Sequence, residues 1–319
     1  MEIRAQAKSD VDAQRLAELA VIAMERSRRV PEGMSVETVL SRTLDDITAD
    51  CHDPVIVAEN DGELAGWLAF YKMSDLGIAQ IWDWHPVVSP GEREDEISGA
   101  LIREAVSHVS ALGLHKISVD FRVSKRDEPA LAKVLGWYAQ AGITETIEEQ
   151  LFRKELTEEA LEATLPEEYT LGYISRTASD DLFACWEEVF SSGSDAFFNS
   201  LDADGRRKLF ASSWAKEKPL IDGASLTLYH EDRLIGFCRL LPSHDSTDGF
   251  LAPIGILAAY RRKGLARKLL SISMLRLKEL GYRTISFYVS TANMPAIAFY
   301  EKLGFVPDHR IVSLIGEVG

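Results

Sequence analysis

The chain has 319 residues, 46% of them hydrophobic, and its 35 basic and 50 acidic residues give a formal net charge of −15. This length is enough for a sizeable core and favours two domains. The acidic balance disfavours nucleic acid as a partner, because a nucleic-acid binder needs a basic surface. The same balance is compatible with a cationic or amine-bearing small substrate.

The N-terminal region carries no targeting or membrane signal. Its first ten residues, MEIRAQAKSD, lack the hydrophobic core of a signal peptide. The apolar run at 16–24 is interrupted by Glu18 and is far shorter than a membrane span. We therefore expect a soluble protein of the reducing cytoplasm with no membrane partner.

Residues that often bind metals do not fall in the spacing of a metal site. Neither DITADCHD at 46–53 nor WDWH at 82–85 has such a spacing, so we expect no metal. We expect Trp82 and Trp84 to pack in a core or to line a pocket. The cysteines are too scattered for a zinc site or a disulfide framework, and each is expected to be a small buried residue: Cys51, Cys185 and Cys238.

In the first half of the chain, apolar alternation and turn residues predict an ordered series of strands and helices. Strands are predicted at 2–6 and 116–123, a hairpin at 53–70 around Asn60-Asp61-Gly62, and an extended run through 82–88. Helices are predicted after a cap at Ser9 or Asp10, and over 97–112 with Gly113 as the stop.

The second half repeats this order. Strands are predicted at 169–173 and 284–290, a hairpin at 226–241, and helices at 179–190 and 265–280. Sliding one half over the other by roughly 168 residues superposes Gly113 on Gly281 and Leu101 on Leu269. This match indicates a duplication, so we predict two tandem domains at 1–156 and 157–319.

A basic turn precedes the helix at 265–280. A short apolar run ends at Ala259, and the residues Tyr260-Arg261-Arg262-Lys263-Gly264 lead directly into the helix. A helix N-terminus presents unpaired N–H groups and a partial positive charge, and a glycine lets the backbone approach phosphate oxygens closely. The turn therefore suits an anion, above all a pyrophosphate, although a solvated basic loop has the same composition.

Two motifs resemble those of the GNAT superfamily of acyltransferases. Arg261, Gly264 and Ala266 match the family's R/Q-x-x-G-x-G/A signature, and STANMPAIAFYEKLGF at 290–305 matches its N-x-x-A-x-x-x-Y-x-x-x-G-F segment. Two departures are Ala258, where proline is usual, and Arg262, where a second glycine is frequent. The resemblance implies an α/β (α+β) fold with two tandem GNAT-like domains, each a mixed central sheet flanked by helices.

The resemblance also implies acetyl-CoA as the co-substrate and assigns residues to it. Tyr300 is the candidate general acid, because a phenol stays protonated at neutral pH and can protonate a leaving thiolate. Asn293 either bonds the pantetheine amide or caps its helix. The residues assigned to acyl-CoA binding are Ile254, Ile256, Arg261, Arg262, Lys263, Gly264, Leu265, Ala266 and Asn293.

The two halves differ at this turn. Glu94, Asp95 and Glu96 stand in the first half where Arg262, Lys263 and Gly264 stand in the second. Three carboxylates would repel a pyrophosphate, so the first half is not expected to bind CoA. By rough count the halves carry about −11 and about −4 charges, so the acidity is concentrated in the first half. Tyr138 resembles Tyr300 but follows about one extra helical turn, which favours a packing role.

The general base is not evident. The run GFLAPIGIL at 249–257, where many relatives have a glutamate, contains no acid. His244, Asp245 and Asp248 lie just before it and could reach an amine directly or through water, although such a polar loop is more often a simple turn.

These observations lead to one interpretation with two alternatives. We expect an acetyl-CoA-dependent N-acetyltransferase acting on the primary amine of a small-molecule acceptor, with a tandem plan similar to that of the mycothiol synthases. The alternatives are a protein or peptide N-acetyltransferase and a catalytically silent acyl-CoA-binding regulatory protein. The sequence identifies neither the acceptor nor the oligomeric state.

Overall fold

The computed structural model describes residues 1–26, 35–48, 54–74, 77–123, 128–157, 164–193, 198–199, 201–214, 219–243 and 247–318. The chain divides into two compact units, Met1–Glu149 with His309–Gly319, and Gln150–Asp308. Both units combine sheets with helices, which confirms the predicted α/β class. Three predicted features, Cys51, His244 and Asp245, lie outside the described residues.

The first unit follows the order expected from the sequence. Its elements are β1 Glu2–Gln6, α1 Ala13–Arg26, α2 Val36–Thr48, β2 Val55–Asn60, β3 Glu63–Leu68, β4 Tyr71–Met73, β5 Ile78–Trp82, β6 Val87–Val88, α3 Glu94–Ala111, β7 Lys116–Val123 and α4 Glu128–Ala139, followed by β8 Glu145–Glu155, which runs into the second unit. Strands β1-β2-β3-β6 form one sheet, and β5 pairs in parallel with β7.

Three details of the first unit differ from the sequence prediction. The first helix is capped by Asp12, whose Oδ1 accepts from the N–H of Arg15 at 3.1 Å, rather than by Ser9 or Asp10. The extended run through Trp82 is broken by a turn between β5 and β6. Helix α3 begins three residues early, at Glu94, because acidic residues in a first turn are stabilised by the helix dipole.

The last strand of the chain belongs to the first unit. In β14, Val306–Glu317, residues Arg310 to Glu317 pair antiparallel with β7 from Val123 to Lys116. Val312 and Leu314 are buried in the core of this unit, each 1% exposed. The division into units therefore places residues 309–319 with the first unit, while the repeat boundary at 156 and 157 stays a prediction.

The second unit repeats the plan of the first. Its further elements are β9 Tyr169–Tyr173, α5 Ser179–Ser191, α6 Ala203–Ser213, β10 Leu226–His230, β11 Arg233–Pro242, β12 Asp248–Ile256, α7 Leu265–Glu279, β13 Thr284–Ser290 and α8 Met294–Glu301. The strand order is β8-β13-β12-β11-β10-β9. Helix α7 and its stop at Gly281, with φ of 92°, are as predicted.

Strands β12 and β13 separate after a short start. Their parallel pairing consists of Asp248 with Thr284, Gly249 with Ile285 and Phe250 with Ser286. Strand β12 continues along β11 as far as Ile256, with a bulge that places two residues, 252 and 253, opposite the single residue Arg239. A gap therefore opens between β12 and β13 beyond Phe250.

None of the helices in the described parts of the chain is long and apolar enough to cross a membrane.

Candidate active site

The backbone of β12 presents polar groups to this gap. The N–H of Leu257 donates to the carbonyl oxygen of Ile235 on β11 at 2.9 Å. Since backbone groups alternate in direction along an extended strand, Gly255 also faces β11 and the polar groups of Ile254 and Ile256 point away from it. The two isoleucines predicted to contact acyl-CoA thus direct their N–H groups towards the gap.

The turn after β12 forms an exposed cradle at the start of α7. Gly264 is left-handed, with φ of 76° and ψ of 0°, and Arg262 has φ of 63°. A Cβ placed on Gly264 would meet no heavy atom within 4 Å, so the space in front of the helix N-terminus is open. The first turn of α7 contains no acidic residue. Its N–H groups and the basic residues around it fit an anionic phosphate.

Arg261 holds the turn in place. Its Nε donates to the carbonyl oxygen of Ile256 at 2.9 Å. Its Nη2 donates to the carbonyl oxygen of Val189 at 3.0 Å and to the Ser192 hydroxyl at 2.7 Å. Because these donors are occupied, Arg261 links the end of β12 to the end of α5, and its side chain positions the cradle.

A cavity of about 330 Å³ lies beside the cradle. It brings together six of the residues assigned from the sequence, whereas Ile254, Lys263, Asn293 and Tyr300 do not line it. Its other lining residues belong to no sequence motif. The positive charges of Arg267 and Lys302, close to the basic turn and to the second motif in the sequence, are the signal that could have identified these two. The lining residues are Ile256, Tyr260, Arg261, Arg262, Gly264, Leu265, Ala266, Arg267, Phe299, Lys302 and Leu303.

Two assigned residues near the cavity make local contacts. Lys263 lies with Nζ 5.4 Å from the centre of the Tyr260 ring, at the exposed side of the turn. The Asn293 side chain accepts a hydrogen bond from the N–H of Ala296 at 3.2 Å. Of the two roles open for Asn293, the structure contains the helix cap. A pantetheine contact through its amide N–H groups stays a prediction.

Tyr300 lies in α8 and packs against Phe287 of β13. Its residue exposure is 9%, and its ring centre lies 4.0 Å from that of Phe287 and 5.8 Å from that of Phe305. Burial raises the pKa of Tyr300 above its ordinary value, and Cys238 on β11 raises it further. Tyr300 therefore keeps its phenolic proton over a wider pH range than an exposed tyrosine does.

Asp248 clamps the start of β12. Its carboxylate accepts hydrogen bonds from Arg153 Nη2 at 3.0 and 3.2 Å and from the Thr284 hydroxyl. It also stands where β12 and β13 are still paired, before the gap opens. This engagement gives Asp248 a structural role and does not favour it as the general base.

The corresponding helix start in the first unit carries acidic residues that pair with neighbouring side chains. Arg93 makes a bidentate ion pair with Glu96 at 2.8 and 2.9 Å. Asp95 accepts from Trp137 Nε1 at 2.8 Å, which is the main cause of its lowered pKa. Acidic residues in the first turn of α3 would repel a phosphate there, and the lack of CoA binding by the first unit stays a prediction.

Tyr138, which resembles Tyr300, is a packing residue of the first unit. Its side chain is fully buried, and its hydroxyl donates to the carbonyl oxygen of His85 at 3.3 Å. Trp82 and Trp84 stack near it with ring centres 5.4 Å apart, and both are half-buried.

Among the described residues no group of side chains could hold a metal ion.

Known proteins are similar to the second unit of this chain and, in one case, to most of its length. The sequence profile described as the acetyltransferase (GNAT) family matches residues 186–305. The mycothiol acetyltransferase of Nocardia farcinica is 27% identical over 274 residues, which cover 80% of this chain and 80% of that protein. The mycothiol acetyltransferase of Corynebacterium glutamicum (strain ATCC 13032) is 32% identical over 84 residues, 26% of this chain and 28% of that protein.

A third relative matches a shorter segment more strongly. The N-alpha-acetyltransferase of Saccharolobus solfataricus is 45% identical over 58 residues, which cover 18% of this chain and 35% of that protein. The chain thus spans less than two thirds of the length of two of these three relatives.

Solved structures share the complete two-unit fold. A GCN5-related N-acetyltransferase from Sphaerobacter thermophilus has a TM-score of 0.61 at 18% identity, covering 99% of this chain and 95% of that one. A tandem GNAT protein from the clavulanic acid biosynthesis pathway has a TM-score of 0.56 at 16% identity, covering 100% and 98%. At these identities the likeness establishes the fold.

Proposed function

We propose that this chain is a GNAT acetyltransferase of tandem plan, whose profile match lies in the second unit, and that it transfers an acetyl group from acetyl-CoA to the primary amine of a small molecule. The observation that carries this proposal is the gap between β12 and β13, which leads from Ile254 and Ile256 to the cradle at Gly264. The gap beside the end of β12 would take the thioester and the pantetheine arm, and the adjacent cradle would take the pyrophosphate, which is their order along acetyl-CoA.

Acetyl-CoA would bind along this path as a substrate. Its phosphates would lie against the N–H groups at the start of α7, with Arg262, Arg267 and Lys302 nearby. The pantetheine arm would run past Ile256 into the gap. The N–H of Ile254 would then donate to the thioester carbonyl oxygen and stabilise the negative charge that develops there.

The chemical step needs a neutral amine and a proton for the leaving thiolate. The amine nitrogen attacks the thioester carbonyl carbon, the tetrahedral intermediate collapses, and the carbon–sulfur bond breaks. The Tyr300 hydroxyl would give its proton to the thiolate, since a phenol carries its proton at neutral pH. The nitrogen loses its proton to water or to one of the sequence candidates, His244 or Asp245.

One observation favours a second acceptor class. The relative with the highest identity of the three is an N-alpha-acetyltransferase, although it matches only 18% of this chain. A peptide α-amine is therefore the alternative acceptor. The mycothiol acetyltransferase that covers 80% of the chain supports the small-molecule acceptor over a far longer segment.

Release of free thiol from acetyl-CoA tests the proposal. The purified chain is incubated with acetyl-CoA and panels of small primary amines and of short peptides, and thiol formation is followed with time. We expect amine-dependent release that is faster with small amines. Faster release with peptides would favour the alternative acceptor, and release with neither, despite CoA binding, would favour a silent acyl-CoA-binding regulatory protein.

A further inference from the structure

The second unit contains a buried arginine with few partners. Arg239 on β11 is 6% exposed. Its one hydrogen bond to a described residue runs from Nη1 to the carbonyl oxygen of Ala252 and is long, at 3.5 Å. Its guanidinium carbon lies 4.9 Å from the centre of the Trp214 ring. Within the described parts of the chain no carboxylate forms an ion pair with Arg239.

Burying Arg239 in this way costs folding free energy unless a bound anion pairs with its guanidinium. A guanidinium has five N–H donors, and burying its charge without a counter-ion is unfavourable. Burial also lowers the pKa of Arg239, in the direction expected for a charge that lacks compensation. Buried charges of this kind are found at sites where an anion binds.

The side chain lies on the face of the sheet opposite Tyr300. Cys238 faces Ser273 of α7 and influences Tyr300, so it points to the helical face that also bears the cavity. Arg239 follows Cys238 in the strand and points the other way, as Phe237 does, and both contact Trp214.

The same face carries half-buried aromatic rings beside the gap. Phe250 on β12 pairs with Leu241, two residues from Arg239, and its ring lies 6.0 Å from that of Tyr288 on β13. Phe250 is also the last residue of β12 that pairs with β13. The guanidinium reaches Ala252, so it lies over β12 just where the gap opens.

We propose that Arg239 binds a carboxylate of the acceptor, so that the substrate is a primary amine that also carries a carboxylate. This inference rests on the proposed function and specifies its acceptor. Acetyl-CoA would enter from the face of α7 and α8, and the acceptor from the face of Trp214. A bidentate guanidinium–carboxylate pair would fix the acceptor and direct its amine towards the thioester.

Paired acceptors test the proposal on the wild-type chain. Each free amino acid in a panel is compared with its carboxamide in the thiol-release assay. Conversion to the amide lowers the pKa of the amine and so raises its neutral fraction, which by itself would favour the amide. We expect kcat/KM to be at least about tenfold higher for the acids, mainly through KM, as loss of a charge-assisted pair implies. Equal or faster turnover of the amides would overturn the proposal.

Variants connect this selectivity to Arg239. Arg239→Met should reduce the acid-to-amide ratio to about one, and Arg239→Lys should retain part of it. Arg276→Met is the matched control, because Arg276 also lies over an aromatic ring, Tyr173 at 5.2 Å, in the same unit. The control should keep the wild-type ratio. A ratio preserved in Arg239→Met would overturn the proposal, and if that variant does not fold, the ratio of Arg239→Lys decides.

A binding measurement separates this inference from the proposed function. If no acceptor turns over, the wild-type complex with CoA is titrated calorimetrically with the same acids and amides. Binding of acids that is lost in Arg239→Met and weakened in Arg239→Lys supports the carboxylate site while the proposed acetyl transfer fails. Absence of binding by every acid overturns the carboxylate site as well.

Discussion

The Nε of Arg261 donates a hydrogen bond to the carbonyl oxygen of Ile256, five residues earlier, at 2.9 Å. This bond folds the chain back between the strand end and the cradle, and it uses a backbone group that β11 leaves unpaired. A signature arginine that would be expected to bind phosphate thus stabilises the turn that we propose binds it. Arg262, which is exposed and stands where the family often has glycine, is better placed for the anion itself.

Arg261→Ala and Arg262→Ala should therefore have different effects. Arg261→Ala removes several hydrogen bonds and should lower the free energy of unfolding by about 1–2 kcal/mol, after allowance for its exposure. Arg262→Ala should leave the unfolding free energy unchanged and raise the Kd for CoA several-fold. Denaturant unfolding and calorimetry measure the two quantities. Equal stability of both variants would refute the positioning role of Arg261.

Gly264→Glu should raise the Kd for CoA by at least about tenfold, because it places bulk and negative charge at the open start of α7. Gly281→Glu is the matched control. Gly281 is also left-handed, with φ of 92°, and also faces open space, but it lies at the other end of the same helix. The two variants carry the same backbone strain, so only a difference in Kd between them supports the cradle.

CoA should bind once per chain. Three acidic residues stand in the first turn of α3 in the first unit, whereas the first turn of α7 contains none. Calorimetric titration should give a stoichiometry of one, and Glu96→Gln should leave the Kd unchanged. Two equivalent sites, or a weakened single site in Glu96→Gln, would contradict the assignment to the second unit.

The duplicated order of strands and helices could be predicted because each half repeats strong local signals. Gly113 and Gly281 stop matching helices, and the first hairpin turn carries the usual pair Asp61-Gly62. The cradle at Gly264 was predicted for the same reason, since a glycine beside basic residues and a helix start are adjacent in the chain.

Features that depend on distant residues were not predictable. The sequence motif names Arg261 but does not show that Val189 and Ser192 occupy its guanidinium. Arg239 lies in a hairpin with no motif, and only the alternation of side chains in the folded sheet places it beside Trp214. Pairing of β14 with β7 joins residues almost 200 positions apart, beyond the reach of any local pattern.

Tyr300→Phe should lower kcat by about a hundredfold or more, because it removes the positioned acid while keeping the ring against Phe287. The Kd for acetyl-CoA should change little. Since burial raises the pKa of Tyr300, the alkaline fall in wild-type activity should begin above pH 10, the usual pKa of tyrosine, rather than at it. Comparison of both pH profiles on one acceptor measures this, and normal turnover by the variant would leave Tyr300 only a packing role.

Cys185 and Cys238 should resist alkylation in the folded protein. Burial raises the pKa of each thiol to about 12, so at pH 8 only about one molecule in ten thousand carries the thiolate. The measurement uses Cys51→Ser, which removes the third cysteine. Native protein should react more than about a hundredfold more slowly than protein in urea. Rapid native reaction at either site would show that it is not sealed in the core.

The route of β14 has a consequence for synthesis on the ribosome. Val312 and Leu314 complete the core of the first unit, yet they are translated after the entire second unit. The first unit therefore cannot complete its sheet during synthesis. Strand β7 lacks its antiparallel neighbour β14 until residues 310–317 emerge from the ribosome. An unpaired strand edge is where chains associate wrongly. Premature termination near the C-terminus would thus destabilise the N-terminal unit, although the message encodes most of that unit far upstream of the error.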